Sequence, residues 1–261
     1  MNHQPDMDMV ITSCGRFDLL EATLNSFFKY NDYPIKQYII VDDSGLATAH
    51  QTLKEICSNF EGEFILLVNE QNIGQVPSID LAYEKVRAEY VFHCEDDWEF
   101  YAAGFISKSL DILEQAPDIV NVWLRAHDDT MNHPICFNEM RSLSDGTSYY
   151  LMCLAYREVW HGFTLNPSVK RMADLRKLLP FNKLSVVVPK RRKKANLIGE
   201  ADLSIYFKEH GYRAAITTNT SGYLRHIGDN AHIRLPWESR FKHISRAWRA
   251  SIKNAFKALF E

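Results

Sequence analysis

Across roughly the first hundred residues, short apolar runs alternate with segments of helical period, and few folds accept that rhythm. Met7 to Ser13 is a β-prone run closed by the turn Cys14-Gly15-Arg16. From Phe17 to Tyr30, Leu19, Leu20, Ala22, Leu24, Phe27 and Phe28 recur at helical spacing. Beyond the break at Tyr33-Pro34 come a second apolar run, Gln37 to Val41, a helical pattern through Leu53, Ile56 and Phe60, and a third run, Phe64 to Val68. A polar loop, Asn69 to Gly74, and a helix from Val76 to Val86 lead to a fourth run at Tyr90. This order predicts an α/β fold with a mainly parallel sheet flanked by helices.

Two of the runs end in acid. Val41 gives way to Asp42-Asp43-Ser44-Gly45, and Tyr90-Val91-Phe92-His93-Cys94 gives way to Glu95-Asp96-Asp97-Trp98. Open parallel sheets bind ligands at the carboxyl ends of their strands. Clustered carboxylates repel one another and cost stability unless something positive sits on them. Together with phosphate oxygens they suit a hard divalent ion such as Mg²⁺ or Mn²⁺. The plainer alternative is an acidic cap on a following helix. One cluster leaves these readings level, but two strand tips meeting at one sheet edge favour a site.

The 261 residues suffice for one large domain or two packed halves, and 46% hydrophobic with 24% charged residues is ordinary for a globular protein. A net charge of -3 argues against a nucleic-acid binder. Cys14, Cys57, Cys94, Cys136 and Cys153 are odd in number and widely spaced with no C-x-x-C pair, so they read as core thiols in a reducing compartment. With no basic-then-apolar leader and no long apolar span, the expectation is a cytoplasmic protein.

Past Trp98 the rhythm loosens. Phe105 to Leu113 reads as a helix, Ile119 to Leu124 and Tyr149 to Tyr156 as strands, and Trp160 to Pro167 as a loop. A helix is expected through Val169, Met172, Leu175 and Leu178, and Pro189 to Lys194 is a basic surface run. Another helix runs to about His210, followed by a strand near Ala214 to Thr217 and by Tyr223 to Gly228. From Trp237 the tail is basic and amphipathic: Phe241, Ile244, Trp248, Ile252, Phe256 and Leu259 line one side. Such a helix can lie peripherally on an anionic membrane, here on the cytoplasmic face, or pack on protein. Trp98, Trp160, His161 and Phe163 could form an aromatic platform, although loop aromatics are more often packing.

In combination these residues resemble the family 2 glycosyltransferases of GT-A fold. The resemblance rests on Val10 to Arg16, Ile40-Val41-Asp42-Asp43-Ser44, Asn72-Ile73-Gly74, Glu95-Asp96-Asp97 in the place of the D-x-D motif, and Gly199-Glu200-Ala201-Asp202-Leu203. It covers the first hundred residues well and the rest thinly. It implies an inverting transfer of sugar from a nucleotide-diphospho-sugar to a hydroxyl of a glycan or lipid-linked glycan, with Mn²⁺ or Mg²⁺ as cofactor. It further implies that Thr12, Ser13 and Asp43 contact the nucleotide, with Cys14, Arg16, Asp42, Asn72, Gly74 and Asp96 completing that site. A carboxylate at Asp43 can accept from a uracil or guanine ring N–H. Metal ligation falls to Asp97, Glu95 and His226, the last at a position where some members use histidine, though a lone histidine is commonly structural. Glu200 is the implied base for the acceptor hydroxyl, with Asp202 as the fallback, itself more naturally an exposed first-turn acid favoured by the helix dipole. Arg225 or the basic run would face the pyrophosphate. Two departures stand out: Cys14 where the family usually has a stacking aromatic residue, and Glu95 in the first acidic position.

The implied division is a nucleotide-sugar half over 1–98, an acceptor half of the same domain over 99–235 and a tail helix over 236–261. A sugar-1-phosphate nucleotidyltransferase would want a glycine-richer loop after the first strand than Ser13-Cys14-Gly15-Arg16-Phe17. A non-catalytic response-regulator-like module would leave Glu200 and the whole second half without a task.

Overall fold

All four apolar runs form parallel strands of one sheet, and the sheet is covered on both faces, which is why the runs are continuously apolar instead of alternating. In the computed structural model, which describes residues 4–154, 161–184 and 199–228, they are β1 (Met7–Ser13), β2 (Tyr38–Asp42), β3 (Phe64–Val68) and β4 (Tyr90–Glu95). The intervening helices are α1 (Phe17–Tyr30), α2 (Ala49–Cys57) and α3 (Gln75–Tyr83). A short strand β5 (Trp98–Phe100) and α4 (Phe105–Gln115) follow, then β6 (Ile119–Trp123), β7 (Ile135–Ser142), β8 (Ser148–Met152) and β9 (Ser168–Arg171). The chain continues through α5 (Met172–Leu175), a single 3-10 turn at Phe181–Lys183, α6 (Glu200–Glu209), β10 (Arg213–Thr217) and β11 (Leu224–His226). These residues lie within one compact unit.

The main sheet has the order β3-β2-β1-β4-β9. Chain order therefore reverses between β1 and β4, and a crevice opens outside their carboxyl ends at that switch point. Alternate side chains feed two cores. Met9, Ile11, Phe92 and Cys94 join Leu24 and Phe27 of α1 on one face. Val10, Val41 and Val91 join Ile79 of α3, Phe163, and Leu203 and Phe207 of α6 on the other. A second sheet, β6-β10-β8-β7, and the pair β11-β5 carry the rest of the chain.

Several expectations change. The helix expected through Val169 is β9, antiparallel to β4 with Val91 opposite Lys170 and His93 opposite Ser168; only Met172–Leu175 turns helical. The apolar spacing there suits a strand buried on both sides as well as a helix, and periodicity alone does not separate them in so short a run. Strand β7, with mostly exposed side chains, carries too little apolar pattern to be seen in sequence. Cys136 and Cys153 are not thiols but a disulfide. The antiparallel β7–β8 hairpin sets Cys136 opposite Leu151 and brings Cys153 alongside, a proximity that linear spacing does not reveal. Cys14, Cys57 and Cys94 are free, and the pair removes the argument for a reducing compartment that five thiols would have made. No helix among the described residues is long and apolar enough to cross a membrane. Trp160, the basic run 189–194 and the tail from 229 onward lie outside the described residues.

Helix α1 fixes the acidic turn after β4. The fully buried Thr23 hydroxyl donates to the Asp96 carbonyl at 2.8 Å and accepts the Trp98 N–H at 3.0 Å. Replacing Thr23 with valine keeps the shape and strands both backbone groups. We expect Thr23→Val to cost about 2–4 kcal/mol and lower the Tm by roughly 5–12 °C in a calorimetric melt, more than an ordinary isosteric core change.

Candidate active site

Asp96 and Asp97 converge with Arg16 at the switch point. The Arg16 guanidinium, in the β1–α1 turn, pairs with both carboxylates: its Nη1 lies 2.6 Å from Asp97 Oδ2, its Nε lies 3.3 Å from Asp96 Oδ2, and its Nη2 binds Asp96 Oδ1. Asp96 is completely buried. Burial raises its carboxyl to about 6 even with Arg16 opposing. Burial pushes Asp97 upward too, but His226 and Arg16 outweigh it and hold the group below its ordinary value. His226, the last residue of β11, places Nε2 3.1 Å from Asp97 Oδ2. Its strand pairs with β5 so that His226 stands opposite Trp98.

Asp42 and Asp43 close the neighbouring strand tip, and donors from the surrounding loops engage both. Asp42 accepts from the Gly15 N–H at 2.8 Å and from Ser44. Asp43 accepts from Asn69 Nδ2, Ile73 N–H and Gly74 N–H at 2.8, 2.8 and 2.7 Å. Asn72 in turn donates to the Asp43 carbonyl at 2.8 Å. Gly74, at φ +99°, opens α3 in a conformation that disfavours other residues. Thr12 and Ser13 lie buried between β2 and β4. The Cys14 thiol, half-buried and facing Asp43 and Asp42, is pushed up to about 11 and is therefore a neutral group at pH 7. Thus all nine expected nucleotide contacts, together with Asp97 and His226, gather at this edge.

A second charged cluster lies on the other side of the acidic turn. Glu95, at the end of β4, accepts from Gln75 Nε2 at 2.9 Å and Trp98 Nε1 at 3.3 Å. Burial, then Asp97 and Glu200, raise its carboxyl to about 8. Glu200 opens α6 and accepts from the Leu165 N–H at 2.6 Å. Burial raises it as well, against hydrogen bonds from Thr164 and Leu165 and the charge of Lys170. Lys170 of β9 is fully buried. Burial lowers its ammonium to about 7, against Glu200, Glu95 and Cys94. Asp202 caps its own helix instead, accepting the Gly199 N–H at 2.7 Å; it is buried, not exposed as a first-turn acid would be. Trp98, His161 and Phe163 are also buried, with Phe163 stacked on Phe207 at 4.7 Å, which makes them packing groups. Arg225 pairs with Glu99 at 2.6 Å.

Sequence reasoning missed Lys170, which a helical reading hides, and the clamp role of Arg16. The signal for Arg16 was present: three successive acids demand a cation, and Arg16 lies in the turn that faces them.

The fold is that of the GT-A glycosyltransferases. The sequence profile of Glycosyl transferase family 2 matches residues 8–148, and the chain belongs to that family. Among solved structures it is similar to a mannosyltransferase, PcManGT of Pyrobaculum calidifontis, in complex with GDP-Man and Mn²⁺, with TM-score 0.58, 14% identity, and 84% of this chain and 56% of that one covered. TarS 1–349 of S. aureus in complex with UDP gives TM-score 0.53 and 16% identity over 84% of this chain and 59% of that one. GalNAc-T7 with UDP, GalNAc and Mn²⁺ gives 0.56 and 12% over 89% and 44%. The chain thus spans less than two thirds of each of these proteins. No curated protein matches the sequence.

Arg16 pairs with two buried acids, one of which, Asp97, it shares with His226, so its loss exposes part of their desolvation cost. We expect Arg16→Gln to destabilise the protein by about 2–3 kcal/mol at pH 7.5. Asp96 takes up a proton as pH falls through about 6, while Asp97, held low, stays ionised. The gap between variant and wild type in denaturant melts should therefore shrink, without closing, at pH 5.

Proposed function

We propose that this protein is an inverting glycosyltransferase that moves a sugar from a nucleotide-diphospho-sugar to a hydroxyl of a glycan or lipid-linked acceptor. The observation that carries the reading is the meeting of the Asp96–Asp97 turn, Arg16 and His226 at the switch point of a family 2 scaffold. The acceptor oxygen bonds to the anomeric carbon, the bond from that carbon to the diphosphate breaks, and the hydroxyl proton passes to Glu200. Glu200 suits the task because burial raises its proton affinity while the Leu165 N–H fixes its other demand, its direction. The strand tips at Thr12, Ser13 and Asp43 supply the nucleoside end of the crevice, and the loop Asn69 to Gly74 forms its wall.

The residues fit a divalent ion. Among the described residues no three His, Cys, Asp or Glu groups form a self-sufficient metal cluster, yet the buried Asp97 Oδ1 has no hydrogen-bond partner. Gly228 packs so closely on Asp97 that a Cβ there would fall 2.4 Å from Oδ2. Asp97 and His226, with Glu95 beside them, would hold Mn²⁺ or Mg²⁺, taking the remaining ligands from the donor's phosphates. Bound there, the ion would neutralise charge on the departing nucleoside diphosphate. Support comes from the Mn²⁺ in the PcManGT and GalNAc-T7 structures and from the GDP-Man, UDP and GalNAc bound across the three neighbours.

A thermal-shift panel of UDP and GDP with and without Mn²⁺ should give a metal-dependent rise in Tm for one of them, abolished by Asp97→Ala. No shift with either nucleotide would remove the donor reading. Glu200→Gln should retain that shift and lose transfer by on the order of 10²–10⁴-fold in kcat. In the wild type, kcat should rise with pH through a value above the ordinary glutamate range, because the base acts only once deprotonated. A pH–rate profile of the wild type checks this limb.

A further inference from the structure

We propose that Trp98 is a positioning residue for the ion-holding side of the crevice: wedged between Arg125 and His226, its indole fixes the direction of the His226 imidazole and, through its N–H, that of the Glu95 carboxyl. The inference rests on the glycosyl-transfer reading above, in which Asp97, His226 and Glu95 would hold a divalent ion.

The strand geometry sets this up. Trp98 opens β5 directly after the acidic turn and is buried. Its backbone N–H is tied to Thr23 of α1, which fixes the chain beneath the indole. β11 pairs with β5 so that His226 stands directly opposite Trp98, and opposite residues of an antiparallel pair send their side chains to one face, close enough to touch. The two rings meet edge to face, with centroids 5.2 Å apart and planes at 68°. Over the indole lies the Arg125 guanidinium, its Cζ 4.9 Å from the ring centre. Arg125 is buried too. It is held by the Asp129 carboxylate at 2.7 Å and bridged to Leu224 of the same strand β11. The indole Nε1 donates to Glu95 Oε2 at 3.3 Å.

One side chain thus touches two of the three prospective ligands. The third, Asp97, is its chain neighbour and lies 3.1 Å from His226 Nε2. Trp98 is closed to a sugar but not to these groups. A ligand side chain that must be ordered as the ion binds costs affinity, and one ordered in advance does not. For that reason the outer groups that orient metal ligands are worth about 10- to 100-fold in metal affinity. A phenylalanine at position 98 would fill most of the ring's place and keep a face for Arg125. It would leave Glu95 without this donor and His226 with a smaller surface to rest on.

The probe is Mn²⁺, its free concentration read by electron paramagnetic resonance with saturating UDP or GDP, whichever the wild type binds. Trp98→Phe should weaken Mn²⁺ binding about tenfold while affinity for the metal-free nucleotide, read by calorimetry, stays within about twofold of wild type. Arg125→Gln, which removes the brace and leaves every prospective ligand in place, should act in the same direction by several-fold. Because Trp98 acts through His226 and Glu95, adding Trp98→Phe to a His226→Ala, Glu95→Gln double variant should weaken Mn²⁺ binding less than about twofold further. Unchanged Mn²⁺ affinity in folded Trp98→Phe would overturn the proposal, as would an equal loss of metal-free nucleotide binding or the full loss in the double-variant background. If Trp98→Phe does not fold, Arg125→Gln decides alone by the same split. A wild type that binds no Mn²⁺ with either nucleotide would instead overturn the metal reading itself and this inference with it, so the two failures are distinguishable.

Discussion

Negative charge packed at the end of one buried strand is the constraint from which the rest of this structure follows. Glu95, Asp96 and Asp97 occupy consecutive positions where β4 leaves the sheet, and water reaches Asp96 and Asp97 poorly. Such a turn stands only if cations and backbone donors surround it. Arg16 arrives from the turn after β1, the strand directly beside β4. Thr23 arrives from the helix that turn begins. The acidic turn thus dictates the chemistry of the preceding β1–α1 connection as much as any ligand does.

The countercharges divide the acids into two sets. Arg16 and His226 attend to Asp96 and Asp97 on the side of the strand tips that would carry a diphosphate. Lys170, anchored on Ser168, lies within the core on the face of β4 that carries Glu95. The cation facing the crevice is partly accessible and can exchange its partners with an ion or a phosphate. The one below is not, and it serves as a fixed part of the scaffold. On the proposed reading, one set of carboxylates would hold charge for the leaving group and the other would hold the base, although both lie around a single turn.

Much of this arrangement was legible in the sequence, for identifiable reasons. β1 to β4 and their helices are long, strongly periodic and locally punctuated by Gly15, Pro34 and Gly74, so local pattern and global fold agree. Acids at two strand tips marked the edge where the site lies, since a fixed topology converts strand ends into neighbours. The second half was less legible because its elements are short and their pairings distant. β9 draws its identity from β4, about eighty residues away, and the same apolar spacing in isolation reads as helix. The Cys136–Cys153 bond depends likewise on a hairpin that polar, exposed β7 does not announce. The dual character of Asp202 illustrates the remaining gap: a first-turn acid either caps or reacts, and only the Gly199 N–H on its oxygen shows it capping.

Strand β9 has one further implication for how the chain can be divided. It runs antiparallel along the outer side of β4, so the sheet of the first half is finished by a piece of the second. The family signature ends at residue 148, twenty residues short of that strand. A fragment trimmed to the signature would leave Tyr90 to His93 as a bare, flat, apolar border, the kind of surface that recruits a neighbouring chain. What is shared across the family as sequence is therefore smaller than what must be synthesised before this sheet is closed.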